Sequence, residues 1–185
     1  MNLLKVGVDE VGRGSLAGPV VAAAVIIGET EIKDLNDSKK IKEWDRELIA
    51  KNIKEKSVKI AIGKSSPKEI DKLNIRQASL LAMKRAILNL KLKNLKIIVD
   101  GLDVPDVEYP CKAIVKADSK VPEVMAASII AKVHRDEIMR KIHLSFPEYR
   151  FDKNKGYPTK AHINILKSKG GTKVHRKSFR PLKND

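Results

Sequence analysis

Three short apolar runs in this chain each lead into an acid. Leu3–Val8 runs into Asp9 and Glu10, Leu95–Val99 into Asp100, and Ala113–Ala117 into Asp118. Runs of this length and composition read as strands. Two more, Val20–Ile27 and Val58–Ile62, read the same way. Helical patterns fill the gaps. Glu43–Lys54 carries Trp44, Leu48, Ile49 and Ile53 at close to helical spacing. Ser66-Pro67-Lys68-Glu69 has the cap, the proline and the reciprocal acid of a helix start, and the pattern continues, with a break near Asn74, to about Leu90. A long helix is expected from Ser119–Pro122 to about Leu144, and a shorter one over Thr159–Lys169, stopped by Gly170-Gly171. This order predicts an α/β fold with a mixed central sheet flanked by helices. If the acid-ended strands lie side by side, Asp9, Glu10, Asp100 and Asp118 gather at one end of the sheet, where α/β proteins commonly place their sites. Taken singly, each acid has a plainer reading, because Asp starts turns and caps helices.

The chain has 185 residues, enough for one core. The expected division is a domain over 1–145 and a small basic helical region over 146–185, packed on it. The tail from Lys167 to Asp185 carries seven Lys/Arg and one acid. Across the chain, 38 Lys+Arg face 23 Asp+Glu, a formal charge of +15. Polyphosphate backbones favour such a surface through counterion release. A Lys-rich surface kept for solubility is the plainer alternative. The single cysteine, Cys111, excludes an intrachain disulfide and a multi-Cys zinc site. The start becomes charged too soon for a secretory signal, and the longest apolar run, Val20–Ile27, is far short of the roughly 20 residues that span a bilayer. A soluble, cytoplasmic protein is expected.

Four converging carboxylates cannot all stay ionised without cations. Hard divalent ions such as Mg²⁺ or Mn²⁺ prefer oxygen ligands, and two of them about 3.5–4 Å apart form a clamp suited to phosphodiester cleavage. A chain positive overall and negative at one point suits a nuclease. Other catalytic arrangements are weaker. Cys111 has no His beside it in sequence, no Gly-x-Ser-x-Gly elbow is present, and Gly12-Arg13-Gly14 lacks the Gly-Lys-Ser/Thr ending of a phosphate loop. His134, His143, His162 and His175 are scattered, and a surface or structural role is expected for each.

These motifs resemble the ribonuclease HII family. The likeness runs through Asp9-Glu10-Val11-Gly12-Arg13-Gly14, Leu16–Ala24, Leu35–Lys40, Val99-Asp100-Gly101, Lys116–Ser119, Ala126–Val133 with Arg135-Asp136, Lys155–Thr159, and His175–Phe179. It implies an RNase H-like fold with a small C-terminal helical part. It implies cleavage of RNA in RNA/DNA hybrids and incision 5′ to single ribonucleotides in duplex DNA, as in ribonucleotide excision during DNA replication and repair. The products would carry 3′-hydroxyl and 5′-phosphate ends. By the resemblance, Asp9, Glu10, Asp100 and Asp118 are the catalytic, metal-holding acids, binding two Mg²⁺ or Mn²⁺ ions. Gly12-Arg13-Gly14 would sense the 2′-hydroxyl, and Tyr157 would lie against the deoxyribose after the ribonucleotide. Ser38, Lys39 and Lys40 suit phosphate contact. Lys155, His175, Arg176 and Lys177 fit the same broad role.

Two positions depart from the family pattern. Ala117 stands where Gly is frequent, and Asn154 where His is frequent. The C-terminus, Arg180–Asp185, shows no glutamine-and-aromatic clamp-binding motif, and a monomer is expected. Two alternatives stay open: a ribonuclease HIII-like hybrid nuclease, and a basic nucleic-acid-binding protein without catalysis. The acidic pair at residues 9 and 10 and the Arg between the glycines weigh against the first. The acids at strand ends weigh against the second.

Overall fold

The computed structural model describes residues 3–28, 32 and 42–182. Five strands form one sheet: β1 (Leu4–Val11), β2 (Val20–Ile27), β3 (Ser57–Ser65), β4 (Leu95–Asp100) and β5 (Cys111–Ile114), in the order β3-β2-β1-β4-β5. β1 pairs antiparallel with β2, and β2 with β3, whereas β1–β4 and β4–β5 are parallel. The mixed sheet matches the expectation. β3 exceeds the expected Val58–Ile62 because its pairing with β2 continues from Ser57 to Ser65. β1 likewise runs on to Val11, so Asp9 and Glu10 lie inside the strand rather than beyond it.

Alternation along β1 assigns its two faces. Val6 and Val8 point into the layer of α2 (Pro67–Leu73) and α3 (Ile75–Asn89), packing with Ile70, Ala82, Ile87 and the β4 residues Ile97 and Val99. The opposite face meets α1 (Glu43–Lys56) and α4 (Pro122–Ser145), where Ile49, Ile53, Ala126, Ala127 and Ile130 cover Ala23 and Val25. Gly7 lies on this face. A Cβ there would come within 2.1 Å of the Glu123 carbonyl carbon, so the missing side chain lets α4 seat close against β1. The small residues on α4 serve the same approach from the helix side.

The helix boundaries follow local chemistry. The Ser66 N–H donates to Glu69 Oε2 at 2.8 Å, and the Glu69 N–H to Ser66 Oγ at 3.3 Å, closing the capping box of α2. Asn74 ends α2 and starts α3, which is the break expected there. Beyond α4 come a short turn (Pro147–Tyr149), the single-turn α5 (Phe151–Asn154) and α6 (Lys160–Lys169). Tyr149, Phe151 and Leu166 bury themselves against Leu16, Ala17 and Met139, and His175 pairs with Ala17. The C-terminal segment is thereby fastened to the loop that follows β1. Among the described residues, no helix is long and apolar enough to cross a membrane.

Candidate active site

Parallel pairing decides where the acids go. Val8 lies beside Val99, so Asp9 and Asp100 follow at the same level of neighbouring strands, on the face toward α4. Asp100 in turn stands beside Ile114 of β5. After β5 the chain passes through left-handed Lys116 (φ 58°) into a short 3-10 turn, Ala117–Ser119, which carries Asp118. Oxygens of Asp9, Asp100 and Asp118 lie within 4.8 Å of one another. The Ala117 N–H donates to Asp100 Oδ1 at 2.8 Å. The left-handed position is Lys116 rather than Ala117, so the methyl group that replaces the frequent glycine sits on ordinary backbone.

Asp9 and Asp118 are each only 6% exposed. Burial, and then the charges of Glu10 and Asp100, hold the Asp9 carboxyl well above the usual carboxylate range, against hydrogen bonds from the Ser128 side chain and the Glu10 N–H. Glu10 is also raised by burial, with Arg13 opposing. Its carboxylate takes a 3.1 Å ion pair from Arg13 and stands outside the mutual 4.8 Å group. Three of the four expected acids therefore meet directly, and the fourth lines the same cleft. Two buried carboxylates beside the half-buried Asp100 offer hard oxygens that fit a divalent cation.

The cleft has a volume of about 370 Å³ and is lined also by Gly12, Arg13, Gly14, Lys132 and Tyr157. Gly12 sits at φ 93° directly over Arg135, and a Cβ there would lie 2.1 Å from Arg135 Nε. Arg135 and Arg176 are both fully buried. Arg135 donates to the carbonyls of Pro19 (3.0 Å), Lys155 (2.9 Å) and Ala17 (3.1 Å). Arg176 donates to those of Gly18 (3.0 Å), Arg13 (2.9 Å) and Gly12 (2.7 Å). Two guanidiniums thus pin the loop after β1 from behind. The Tyr157 ring lies 5.3 Å from the Arg135 guanidinium and 5.9 Å from the Lys132 ammonium.

Several sequence expectations need correction. Arg176 and His175 are buried, and Lys155 is 8% exposed, bonded to the Asp152 carbonyl at 2.6 Å and to Glu43 at 3.1 Å. These three brace the fold instead of meeting phosphate from the surface. Lys177 stays exposed, its backbone N–H bonded to Asp71. Ser38, Lys39 and Lys40 lie outside the described residues. Asn154 braces a turn: its amide donates to the Tyr149 carbonyl at 2.7 Å and accepts the Gly156 N–H at 2.7 Å. Burial pushes the Cys111 thiol up to about 11, which suits an inert role.

The sequence model of the family described as Ribonuclease HII matches residues 6–182. The chain belongs to the ribonuclease HII family. Ribonuclease HII of Hydrogenovibrio crunogenus is 53% identical over 179 residues, covering 97% of this chain and 86% of the relative. The crystal structure of ribonuclease H2 from Pyrococcus horikoshii OT3 superposes with a TM-score of 0.80 at 28% identity, covering 96% and 94% of the two chains. The ribonuclease HII of Archaeoglobus fulgidus, solved in a complex with PCNA, gives 0.79 at 28% identity, covering 99% and 98%. The RNase H-like fold stands, and the family match decides against the two alternatives. Ribonuclease HII enzymes are nucleases that hydrolyse phosphodiester bonds, act on RNA/DNA and use divalent metals.

Sequence reasoning gave no role at this ribonuclease HII site to Ser128, Lys132 or Arg135, and placed Arg176 at the surface. Ser128 and Lys132 are one helical turn apart on α4 and both line the cleft, a spacing that was readable once α4 was expected to pack closely. Arg135 and Arg176 gave no such signal, since an Arg in a basic chain reads as surface by default.

Proposed function

We propose that this chain incises duplex DNA on the 5′ side of single embedded ribonucleotides, as well as cutting RNA in RNA/DNA hybrids, leaving 3′-hydroxyl and 5′-phosphate ends. The observation that carries the reading is the meeting of Asp9, Asp100 and Asp118 within 4.8 Å, beside a loop able to approach a sugar closely. These acids, with Glu10, would hold two Mg²⁺ or Mn²⁺ ions, which supply a nucleophilic water and stabilise the leaving oxygen. The chain's own residues do the selecting. Arg176 takes the Gly12 and Arg13 carbonyls, so the amide N–H groups of Arg13 and Gly14 point away from it, because C=O and N–H oppose each other across a peptide plane. Donors so presented suit a 2′-hydroxyl, the group that separates ribose from deoxyribose. Tyr157 offers a ring face to the sugar that follows. Ser38, Lys39 and Lys40 would add phosphate contacts. The catalytic part would comprise residues 1–145, with 146–185 as its support, working as a monomer.

The test is incision of a labelled duplex holding one ribonucleotide, with Mg²⁺ and with Mn²⁺. A single cut on the 5′ side is expected, abolished in Asp118→Asn while duplex binding persists. No cut with either metal over a range of temperatures, or full activity in Asp118→Asn, would overturn the reading.

A further inference from the structure

Two histidines that the metal chemistry does not use meet inside the C-terminal segment. His162 is fully buried and His175 is 2% exposed. Their Nε2 atoms are 3.1 Å apart. Such a contact needs a proton on one nitrogen and a lone pair on the other. The two ends of the chain of contacts decide which. The Thr172 backbone N–H, which can only donate, lies 2.9 Å from His175 Nδ1. His175 Nδ1 is therefore bare and its proton sits on Nε2, donated to His162 Nε2. The His162 proton is then on Nδ1, facing the Tyr157 carbonyl at 2.9 Å, a group that can only accept. Every link has one direction, running from Thr172 through both rings to Tyr157. Burial pushes His162 down and His175 down to about 4, in accord with two neutral rings. The rings of Tyr149 and Phe151 pack around the pair, with centroids 4.9 Å and 5.6 Å from that of His175.

We infer that His162 and His175 form a neutral, one-way hydrogen-bond relay that positions Tyr157 over the cleft. Arg135 and Lys132 lie against the Tyr157 ring, and the Tyr157 backbone makes two further hydrogen bonds. Its N–H bonds the Asn154 carbonyl at 2.8 Å, and its own carbonyl is shared between His162 and the Thr159 N–H. It sits between Gly156 at φ 82° and Pro158, and a carbonyl released from His162 keeps only the Thr159 N–H, so the peptide can tilt about that bond and shift the ring with it. The relay begins next to Arg176, which grips the Gly12-Arg13 carbonyls, so one short segment sets both sides of the cleft. The inference rests on the reading that Tyr157 meets the substrate.

The test uses two isosteres of one ring. In His162→Asn the amide nitrogen falls near the Nδ1 position and keeps a donor toward Tyr157. In His162→Gln it falls near Nε2 and leaves the Tyr157 carbonyl without that donor. The readout is kcat/KM on a single-ribonucleotide duplex divided by that on a hybrid with a long RNA tract, with Tyr157→Ala as reference. His162→Gln is expected to lower this ratio about fivefold or more, in the direction of Tyr157→Ala, and His162→Asn to stay within about twofold of the parent. Equal ratios for the two variants at matched stability would overturn the relay. Imidazole ¹⁵N spectra of the unaltered protein at neutral pH give a second, fold-independent answer. They should show His162 protonated on Nδ1 and His175 on Nε2; the reverse tautomers, or a charged ring, would overturn it. An unchanged ratio in Tyr157→Ala would instead remove the substrate role of Tyr157, with the spectra still deciding the relay.

Discussion

Gly12 and Gly14 belong to one motif, yet alanine at the two positions should have opposite consequences. At Gly12 the backbone has φ 93°, and a new Cβ would lie 2.1 Å from Arg135 Nε, 2.7 Å from Cδ and 2.8 Å from Cζ. Arg135 has nowhere to retreat, because three carbonyls hold its guanidinium at 2.9–3.1 Å. Left-handed backbone in a non-glycine residue costs about 1–2 kcal/mol. Overpacking against a fixed neighbour adds about 1–3 kcal/mol. Gly12→Ala should therefore lose about 2–5 kcal/mol, a fall in Tm of roughly 4–20 °C for a chain of this size. At Gly14 nothing lies within 4 Å of the added carbon, and the backbone is not left-handed. Gly14→Ala should stay within about 0.5 kcal/mol of the parent. Its effect should appear in turnover, as slower incision at single ribonucleotides, since a methyl group there stands between the loop and a sugar. Urea and thermal melts of both variants, with incision rates beside them, check this. Equal losses of stability, or an unshifted Tm in Gly12→Ala, would overturn the account of the loop as pinned from behind by Arg135.

Two further outcomes follow from buried charge. In cation-free buffer at neutral pH, Asp9→Asn should be more stable than the parent, because it removes a carboxyl whose charged form burial, Glu10 and Asp100 all disfavour; Mn²⁺ should raise the Tm of the parent by more than that of the variant, and equal shifts in calorimetry would discount Asp9 as a ligand. His175 has a folded pKa of about 4 against an ordinary 6.5, so between those values the unfolded chain binds more protons. Its contribution is complete above pH 6.5 and declines as pH falls toward 4, by about 3 kcal/mol in total. Urea midpoints flat across that window, or a decline unchanged in His175→Gln, would contradict the buried neutral imidazole.

Much of the architecture was readable from short-range pattern. Four of the five apolar runs lie mostly in strands, only Ala113 and Ile114 of the fifth do, the capping box at Ser66 and Glu69 formed, and Asn74 split one helical pattern into two. These features depend on neighbours within a few residues, where the chain carries its own instructions. Of the four acids expected at strand ends only Asp100 ends its strand: Asp9 and Glu10 lie inside β1, and Asp118 lies on the turn after β5; that Asp9, Asp100 and Asp118 meet could not be read in advance, because a strand pattern has no direction. Had β4 run antiparallel to β1, Asp9 and Asp100 would stand at opposite edges of the sheet. The Val8–Val99 parallel register makes them neighbours. Glu10 shows the same limit from the other side: adjacent to Asp9 in sequence, it alternates to the other side of the strand and pairs with Arg13.

By itself, the sequence determined the elements, the charge that suits a phosphate backbone, and the residue types from which a metal site can be built. Tertiary structure alone decided the fate of the basic residues near the C-terminus. Arg176 looked like one more cation in a tail of cations, yet it lies fully buried on the carbonyls of Gly12 and Arg13, more than 160 positions away in the chain. A guanidinium has the same composition at the surface and in the core. What distinguishes the two is whether the folded chain brings enough carbonyl oxygens around it to replace water, and that is a property of packing, which no local pattern records.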